Sequence, residues 1–215
     1  MTPFTLFTFE GIDGCGKSTV MQTVADMLNE TEHANDFTTT AEKYHPIVNN
    51  GLFNYGDESN RPCETSIIHY WWLSRILILN QLKTGPSRGL FLDRYYDSTF
   101  VYQNLPSKPL SVLQHNFDPI YFAVPNITFY FKGSPEIALS RLVKDGNPND
   151  IFEDKKLETL KEKTSLYDQL YTLKPYEPIC GKRNVCLIDA DADLDTVIGT
   201  VAGVVFKYID FGGSL

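Results

Sequence analysis

A lysine and a serine directly behind a glycine, at the end of a short apolar run, are the residues of this chain best suited to chemistry on an anion. The stretch Gly11-Ile12-Asp13-Gly14-Cys15-Gly16-Lys17-Ser18-Thr19 fits the spacing G-x-x-x-x-G-K-[ST] at Gly11, Gly16, Lys17 and Ser18. It follows Phe4 to Phe9, which reads as a buried strand, and beyond it Val20, Met21, Val24, Ala25, Met27 and Leu28 recur at helical spacing. A loop at that junction has backbone N–H groups with no intrahelical partner, and the helix dipole adds partial positive charge, so the loop is a phosphate cradle. Lys17 adds a mobile full charge suited to the β- and γ-phosphates of a nucleotide, and Ser18 adds a hydroxyl suited to magnesium. Glycines at 11, 14 and 16 let the backbone wrap a phosphate without Cβ clashes. A plain glycine-rich turn would not need lysine and serine at these offsets. A dinucleotide fingerprint would need a small residue where Thr19 stands.

Two further constellations carry charge. Gly89-Leu90-Phe91-Leu92-Asp93-Arg94 is a hydrophobic strand ending in a carboxylate, the form of a Walker B segment whose acid, Asp93, would face magnesium from the strand's C-terminal edge. Trp71 and Arg75 stand at i and i+4 in a helical pattern and so share one face. Such a pair suits a platform that stacks on a base and donates to its carbonyl. It equally suits a core aromatic with an arginine reaching past it to solvent.

The elements that must position these groups alternate along the chain. After the first helix, Asp36 to Ala41 reads as a second strand, and Asn49 to Pro62, rich in Asn, Gly and Asp, reads as a loop. A helix is expected from Glu64 to Leu82, stopped by Thr84-Gly85-Pro86, and another from Ser98 through Gln103. Leu110 to Phe117 reads as a short helix, Asn126 to Phe131 as a fourth strand, and Pro135 to Lys144 as a helix with proline near its start. Lys144 to Asp150 breaks regular structure before a charged helix from Asp154 to Tyr171. Val185 to Asp189 is the fifth strand and Leu194 to Tyr208 the closing helix. Strands separated by helices imply a parallel, doubly wound α/β sheet of five strands flanked by helices.

Composition narrows the partners. The chain has 215 residues, enough for one sizeable core, and is expected to form one domain over 1–215 with a small mobile insert. Lys and Arg number 19 against 27 Asp and Glu, a net charge of -8 with no basic tract, which disfavours a nucleic acid polymer as partner. The N-terminus lacks the positive region of a signal peptide, and the most apolar segment, Ile67 to Leu82, is broken by His69, Ser74, Arg75 and Asn80. No membrane association and a cytoplasmic location are therefore expected. The four cysteines show no C-x-x-C spacing, which indicates neither a zinc site nor a disulfide framework. Cys15 reads as a small filler of the cradle or as a thiol activated by the helix terminus.

Taken together, the cradle, the segment Asp93-Arg94-Tyr95 followed by Ser98-Thr99-x-x-Tyr102-Gln103, the pair Trp71-x-x-x-Arg75, and Leu187-Ile188-Asp189-Ala190 resemble the thymidylate kinase family over most of the chain. The resemblance implies a P-loop NTPase fold with a small lid, here at about 141–154, and transfer of a phosphoryl group from ATP, with magnesium, to dTMP. It implies that Arg94 grips the acceptor phosphate, that Trp71 and Arg75 read the base, and that Thr99 faces the base edge, with Gln103 as a further candidate. Tyr102 would crowd the sugar 2′ position, with a plain core tyrosine as the alternative. Asp13 would receive the 3′-hydroxyl, with a hydrogen bond inside its own loop as the alternative. On the donor side the resemblance points to the cradle residues, to Arg141 on the lid, and to Asp189 and Ala190. Glu10 closes the first strand behind the cradle.

The chain departs from that pattern in places. Glu42-Lys43-Tyr44-His45-Pro46 lacks the usual basic residue beside the proline, leaving Lys43 or His45 to substitute. Gly14 stands where some members carry an arginine inside the cradle, so the donor-side cation is expected from the lid, Arg141 first and Lys144 second, each with a solvated helix face as the alternative. The helix from Trp71 to Leu82 has more apolar face than one neighbour needs, and family members associate through helices, so a homodimer is expected. Sedimentation at micromolar concentration should give twice the 24.4 kDa of one chain, and a monomer alone would contradict the expectation.

Overall fold

The structure, a computed structural model, describes residues 4–33, 36–41, 73, 75–80, 88–102, 123–144, 153–172 and 184–211. Its strands are Thr5–Glu10 (β1), Phe37–Ala41 (β2), Gly89–Asp93 (β3), Ile127–Lys132 (β4) and Val185–Asp189 (β5). Its helices are Lys17–Asn29 (α1), residues 75–80 (α2), Tyr96–Tyr102 (α3), Pro135–Lys144 (α4), Glu153–Thr172 (α5) and Leu194–Asp210 (α6). The five strands form one sheet in the order β2-β3-β1-β4-β5, and every pairing is parallel.

This order follows from the apolar runs. β1 is flanked on both sides and is buried from Leu6 to Glu10, as a central parallel strand covered on both faces must be. Phe7 and Phe9 pack against Phe91 and Phe129 of the neighbouring strands, with ring centroids 5.3 Å apart for Phe7–Phe91 and 5.1 Å for Phe9–Phe129. The edge strands are less buried: β2 is half-buried throughout, and β5 exposes Val185 and Leu187. Val20, Val24 and Leu28 of α1 and Val197, Val201 and Val205 of α6 are buried in the same core. Together they bury enough apolar surface to hold the cradle's supporting helix against the sheet.

From β1 the chain runs to one side of the sheet for β2 and β3 and to the other for β4 and β5. The reversal lies at β1, and in open parallel sheets the crevice beyond the strand ends at such a point is where ligands bind. The loop 11–16 leaves β1 there.

Most expected elements are present within one or two residues. α3 begins at Tyr96, two residues before the expected Ser98, which brings the acid Asp97 into its first turn, where the helix dipole favours it. The loop from Asn49 to Pro62, the early part of the helix expected from Glu64, the helix expected over Leu110 to Phe117, and residues 145–152 of the expected lid lie outside the described residues.

Candidate active site

The cradle is built from backbone. Gly11, Gly14 and Gly16 have φ of 144°, 80° and 88°, conformations that residues with a Cβ rarely adopt. At Gly14 the reason is also steric, since a Cβ there would stand 2.3 Å from the Ala138 carbonyl oxygen, with α4 packed onto the loop. No side chain caps α1, and its first turn holds no acid. By contrast, the Asp193 carboxylate caps α6 by accepting the Thr196 N–H at 2.9 Å. The N–H groups that open α1 therefore remain available to an anion. The buried Lys17 amino group donates to the Ile12 carbonyl at 2.8 Å and lies 3.5 Å from the Cys15 sulfur, which fills the loop from inside.

Ser18 Oγ donates to Asp93 Oδ2, joining the cradle to the end of β3. Asp93 Oδ1 is buried without a hydrogen-bond partner. A hydroxyl beside a carboxylate with one unengaged oxygen is a hard oxygen donor set, and it fits magnesium.

Facing the cradle is Arg94. Its φ of +70° places a bulky residue in the left-handed region, a strain that persists only where the surroundings enforce it. Its backbone N–H is fixed to the Phe9 carbonyl at 3.0 Å. Its guanidinium is held on two sides. Nη2 donates to Asp13 Oδ1 at 2.7 Å and to the Tyr102 hydroxyl at 3.0 Å, while Nη1 donates to Ser98 Oγ at 3.1 Å and to the Tyr167 hydroxyl at 3.3 Å. The guanidinium carbon also lies 4.6 Å from the centre of the Tyr102 ring. Behind this cluster sits Glu10, fully buried. It accepts the Tyr95 N–H at 2.7 Å, Ser98 Oγ at 2.7 Å and the Tyr167 hydroxyl at 3.0 Å.

Burial raises the Glu10 pKa from its ordinary 4.5 to about 7, and the negative charge of Asp97 adds to the rise; the Ser98 hydrogen bond and the Arg94 charge work against it. Asp13 moves the other way. Burial pushes its pKa upward, but the charges of Arg94 and Lys17 outweigh burial and hold it below the ordinary carboxylate value. Burial also raises the Tyr102 and Tyr167 hydroxyls, so both stay protonated as hydrogen-bond donors at neutral pH.

Of these groups, the cradle loop, Asp93, Arg94, Ser98 and Tyr102 line one cavity of about 730 Å³. Its wall includes the loop from Asp13 to Ser18, with Thr19, then Asp93, Arg94, Ser98 and Tyr102 on one side and Arg141, Leu142 and Ala190 on the other. The Arg141 guanidinium donates to the Ala190 carbonyl at 2.9 Å, so that side chain is tethered at the wall, whereas Lys144 is exposed.

Residues 9–194 match the family model described as thymidylate kinase. The chain belongs to the thymidylate kinase family. It is 28% identical to thymidylate kinase of Blochmanniella pennsylvanica over 214 residues, covering 95% of this chain and 94% of that one. With thymidylate kinase of Dinoroseobacter shibae the identity is 31% over 161 residues, covering 71% and 75%. The fold is like that of the solved thymidylate kinase from Ehrlichia chaffeensis, with a TM-score of 0.65 at 20% identity, covering 94% of this chain and 98% of that one.

Against the family expectations, the structure brings together the cradle, Asp93, Arg94, Tyr102 and Arg141. Arg75 does not reach past an aromatic to solvent: it is 2% exposed, borders the cavity, donates to Thr99 Oγ1, and lies 6.0 Å from the Tyr95 ring centre. Asp13 is ion-paired with Arg94 at 2.7 Å and accepts the Tyr102 hydroxyl at 3.2 Å, so its partners lie outside its own loop. Gly11 contributes packing, because a Cβ there would stand 2.6 Å from the Phe131 carbonyl oxygen. The Asp189 carboxylate accepts the Asp191 N–H at 3.1 Å and shapes a turn, leaving Ala190 to form the wall. Trp71, Gln103, Lys43 and His45 lie outside the described residues.

Tyr167 belongs to the site without belonging to any motif. It sits in a charged helix four residues before Tyr171; its ring stacks with those of Tyr130 and Tyr171, and Tyr171 lies tilted against Tyr130. Aromatics with polar tips at i and i+4 in so charged a helix are the only signal the sequence carries for it.

Two measurements follow. If the surroundings hold Arg94 in strain, Arg94→Gly should melt higher than Arg94→Ala, since at positive φ glycine is favoured over alanine by about 1 kcal/mol; equal melting would show no strain. Because the folded-state pKa of Glu10 lies above its ordinary value, the folded protein retains a proton there that the unfolded chain has lost. That contribution to stability is complete below pH 4.5 and is lost as the pH rises to about 7. The melting temperature of Glu10→Gln minus that of the parent should therefore increase over this range, and a constant difference would contradict the shift.

Proposed function

We infer that the protein transfers the γ-phosphoryl group of ATP, as its magnesium complex, to the 5′-phosphate of dTMP, giving ADP and dTDP. A bond forms between an acceptor phosphate oxygen and the γ-phosphorus, and the bond to the β–γ bridging oxygen breaks. Such a transfer passes through a loose, charge-spread transition state, so the protein's part is alignment and cationic stabilisation. The acceptor is already an anion, and no strong general base is required.

The observation that carries this reading is the position of Arg94. A guanidinium can hold phosphate oxygens in a bidentate manner, and Arg94 borders the same cavity as Lys17, so donor and acceptor phosphates would meet between two cations. Ser18 and Asp93 would hold magnesium, which when bound neutralises the donor phosphates. Lys17 and the N–H groups of the loop would bind the donor chain. Arg141 borders the donor side and is the candidate for the additional cation of a lid over about 141–154, whose closure would exclude water and suppress idle hydrolysis. Cys15 and Thr19 would line the donor site, with Ala190 at its far wall.

On the acceptor side, Asp13 and Tyr102 would bound the sugar. Arg75 would donate to the base, with Thr99 holding it, and Trp71 and Gln103 would complete the base pocket. The charge balance gives no support to a nucleic acid polymer as partner, and no helix among the described residues is long and apolar enough to cross a membrane. We keep the reading of a cytoplasmic enzyme acting on small nucleotides. A homodimer fits the exposure of Leu73 and Leu77, at 57% and 43%, which stand one turn apart on the same helical face.

With magnesium and ATP, the purified protein should phosphorylate dTMP faster than thymidine; the reverse order would point to a nucleoside kinase. Lys17→Ala should lower kcat by roughly a hundredfold or more, and near-parental turnover would sink the cradle assignment. Arg75→Ala should raise the dTMP KM by about ten- to a hundredfold, the usual cost of a lost charge-assisted hydrogen bond, and shrink the preference for dTMP over dCMP. An unaltered base preference would remove the reason for naming thymine.

A further inference from the structure

Four polar groups form a closed diamond behind the acceptor side of the cavity. Glu10 Oε2 is at one corner and Arg94 Nη1 at the opposite corner. Ser98 Oγ lies between them, 2.7 Å from the carboxylate and 3.1 Å from the guanidinium nitrogen. The Tyr167 hydroxyl lies between them on the other side, at 3.0 Å and 3.3 Å. The two hydroxyl oxygens are 2.9 Å apart.

With Glu10 ionised, hydrogen-bond inventory fixes the direction of the four bonds that reach Arg94 and Glu10. A guanidinium carries only donors, an ionised carboxylate only acceptors, and each hydroxyl has one proton and two lone pairs. Both bonds to Arg94 and both bonds to Glu10 are satisfied when the two hydroxyls aim their protons at Glu10 and their lone pairs at Arg94, which leaves no proton for the contact between the hydroxyl oxygens themselves. The other carboxylate oxygen is occupied by the Tyr95 N–H at 2.7 Å, so the carboxylate cannot turn. Tyr95 directly follows Arg94, so Glu10 secures both the side chain of that arginine and the backbone beside it.

We propose that Glu10 is a positioning residue for the acceptor arginine: through Ser98 and Tyr167 its carboxylate holds the Arg94 guanidinium in the one orientation offered to the acceptor phosphate. The proposal rests on the reading of Arg94 as the acceptor clamp. Glu10 touches no substrate in this scheme. The tie also runs between distant parts of the chain, because Tyr167 lies on α5, the helix that follows the expected lid, and its neighbour Tyr171 donates to Asp97 of α3 at 2.8 Å. The charged groups around Glu10 are Arg94 and Asp97 from the β3–α3 junction, with Asp13 and Lys17 of the loop beyond Arg94. The titratable group facing it from α5 is the Tyr167 hydroxyl.

Glutamine keeps the shape and breaks the pattern. If its amide nitrogen takes the Oε2 position, two donors face Ser98 and Tyr167, and one hydroxyl proton is forced toward Arg94. If it takes the Oε1 position, it meets the Tyr95 N–H donor to donor. A buried donor left unmatched is costly in either case.

The test compares the parent with Glu10→Gln in turnover of dTMP and in the guanidinium NMR signals of Arg94 without substrate. We expect the dTMP KM to rise about tenfold or more with the ATP KM unchanged, as for a weakened charge-assisted contact to one substrate only. The Nη protons of Arg94 should be resolved and slowly exchanging in the parent and averaged in the variant. An unchanged dTMP KM, an equal rise for ATP and dTMP, or Nη protons already averaged in the parent would overturn the proposal. Should Glu10→Gln fail to fold, Tyr167→Phe removes one corner of the diamond. It should raise the dTMP KM with the ATP KM unchanged, and an unchanged dTMP KM would overturn the proposal just as firmly. If the parent does not phosphorylate dTMP, the functional reading falls, while the NMR comparison still decides whether Glu10 orients Arg94.

Discussion

The guanidinium of Arg94 donates to Asp13, Tyr102, Ser98 and Tyr167 while its backbone sits at a positive φ that arginine disfavours. Burial works against its charge, and the oxygens of Tyr102, Tyr167, Asp13 and Glu10 outweigh that cost, keeping it protonated far above neutral pH. Those partners come from the loop after β1, from α3 and from α5, so three separate parts of the chain converge on one cation. The sheet order makes this possible: β1 and β3 are neighbours in register, Phe9 stands opposite Asp93, and the two strand ends deliver cradle and arginine side by side.

The electrostatics separate two tasks. On the proposed donor side the positive charge comes from N–H groups and Lys17, held by a carbonyl and a sulfur that compete weakly for it. On the proposed acceptor side Arg94 is fixed by charged and polarised partners, so it is costly to move and would cost little to reorganise when a phosphate arrives. The unengaged oxygen of Asp93 lies between the two, beside Ser18. Buried Glu10 weakens the fold as it ionises and in return gives the hydroxyl network a fixed sense, an instance of stability yielding to a preorganised site.

Much of the fold was legible because parallel strands buried on both faces write themselves as continuous apolar runs, and the turns between them carry glycine, proline and capping residues. Phe4 to Phe9 and Leu90 to Leu92 needed no context beyond themselves. The cradle was legible because its chemistry is compressed into consecutive residues. The roles proposed for Arg94 and Arg141 rest on resemblance to a family, since nothing local in the sequence distinguishes a clamp arginine from a surface one. Tyr167 was legible only as an aromatic spaced i, i+4 with Tyr171, and Glu10 only as the residue that closes the first strand. They meet across 157 positions of sequence, and only the packing of α5 on α3 brings the hydroxyl to the carboxylate. Asp13 shows the same limit, because its ion pair with Arg94 spans 81 positions and no pattern within the loop announces it.

The central claim is that Arg94 is preset for the acceptor phosphate, opposite the cradle. A crystal structure with adenosine and thymidine joined through a polyphosphate, occupying both sites at once, tests it most directly. The account predicts that the guanidinium contacts the phosphate nearest thymidine while its bonds to Ser98 and Tyr167 persist, with the remaining phosphates in the loop of residues 11–16. A complex in which that phosphate lies away from Arg94, with the guanidinium still paired only to protein groups, would contradict it.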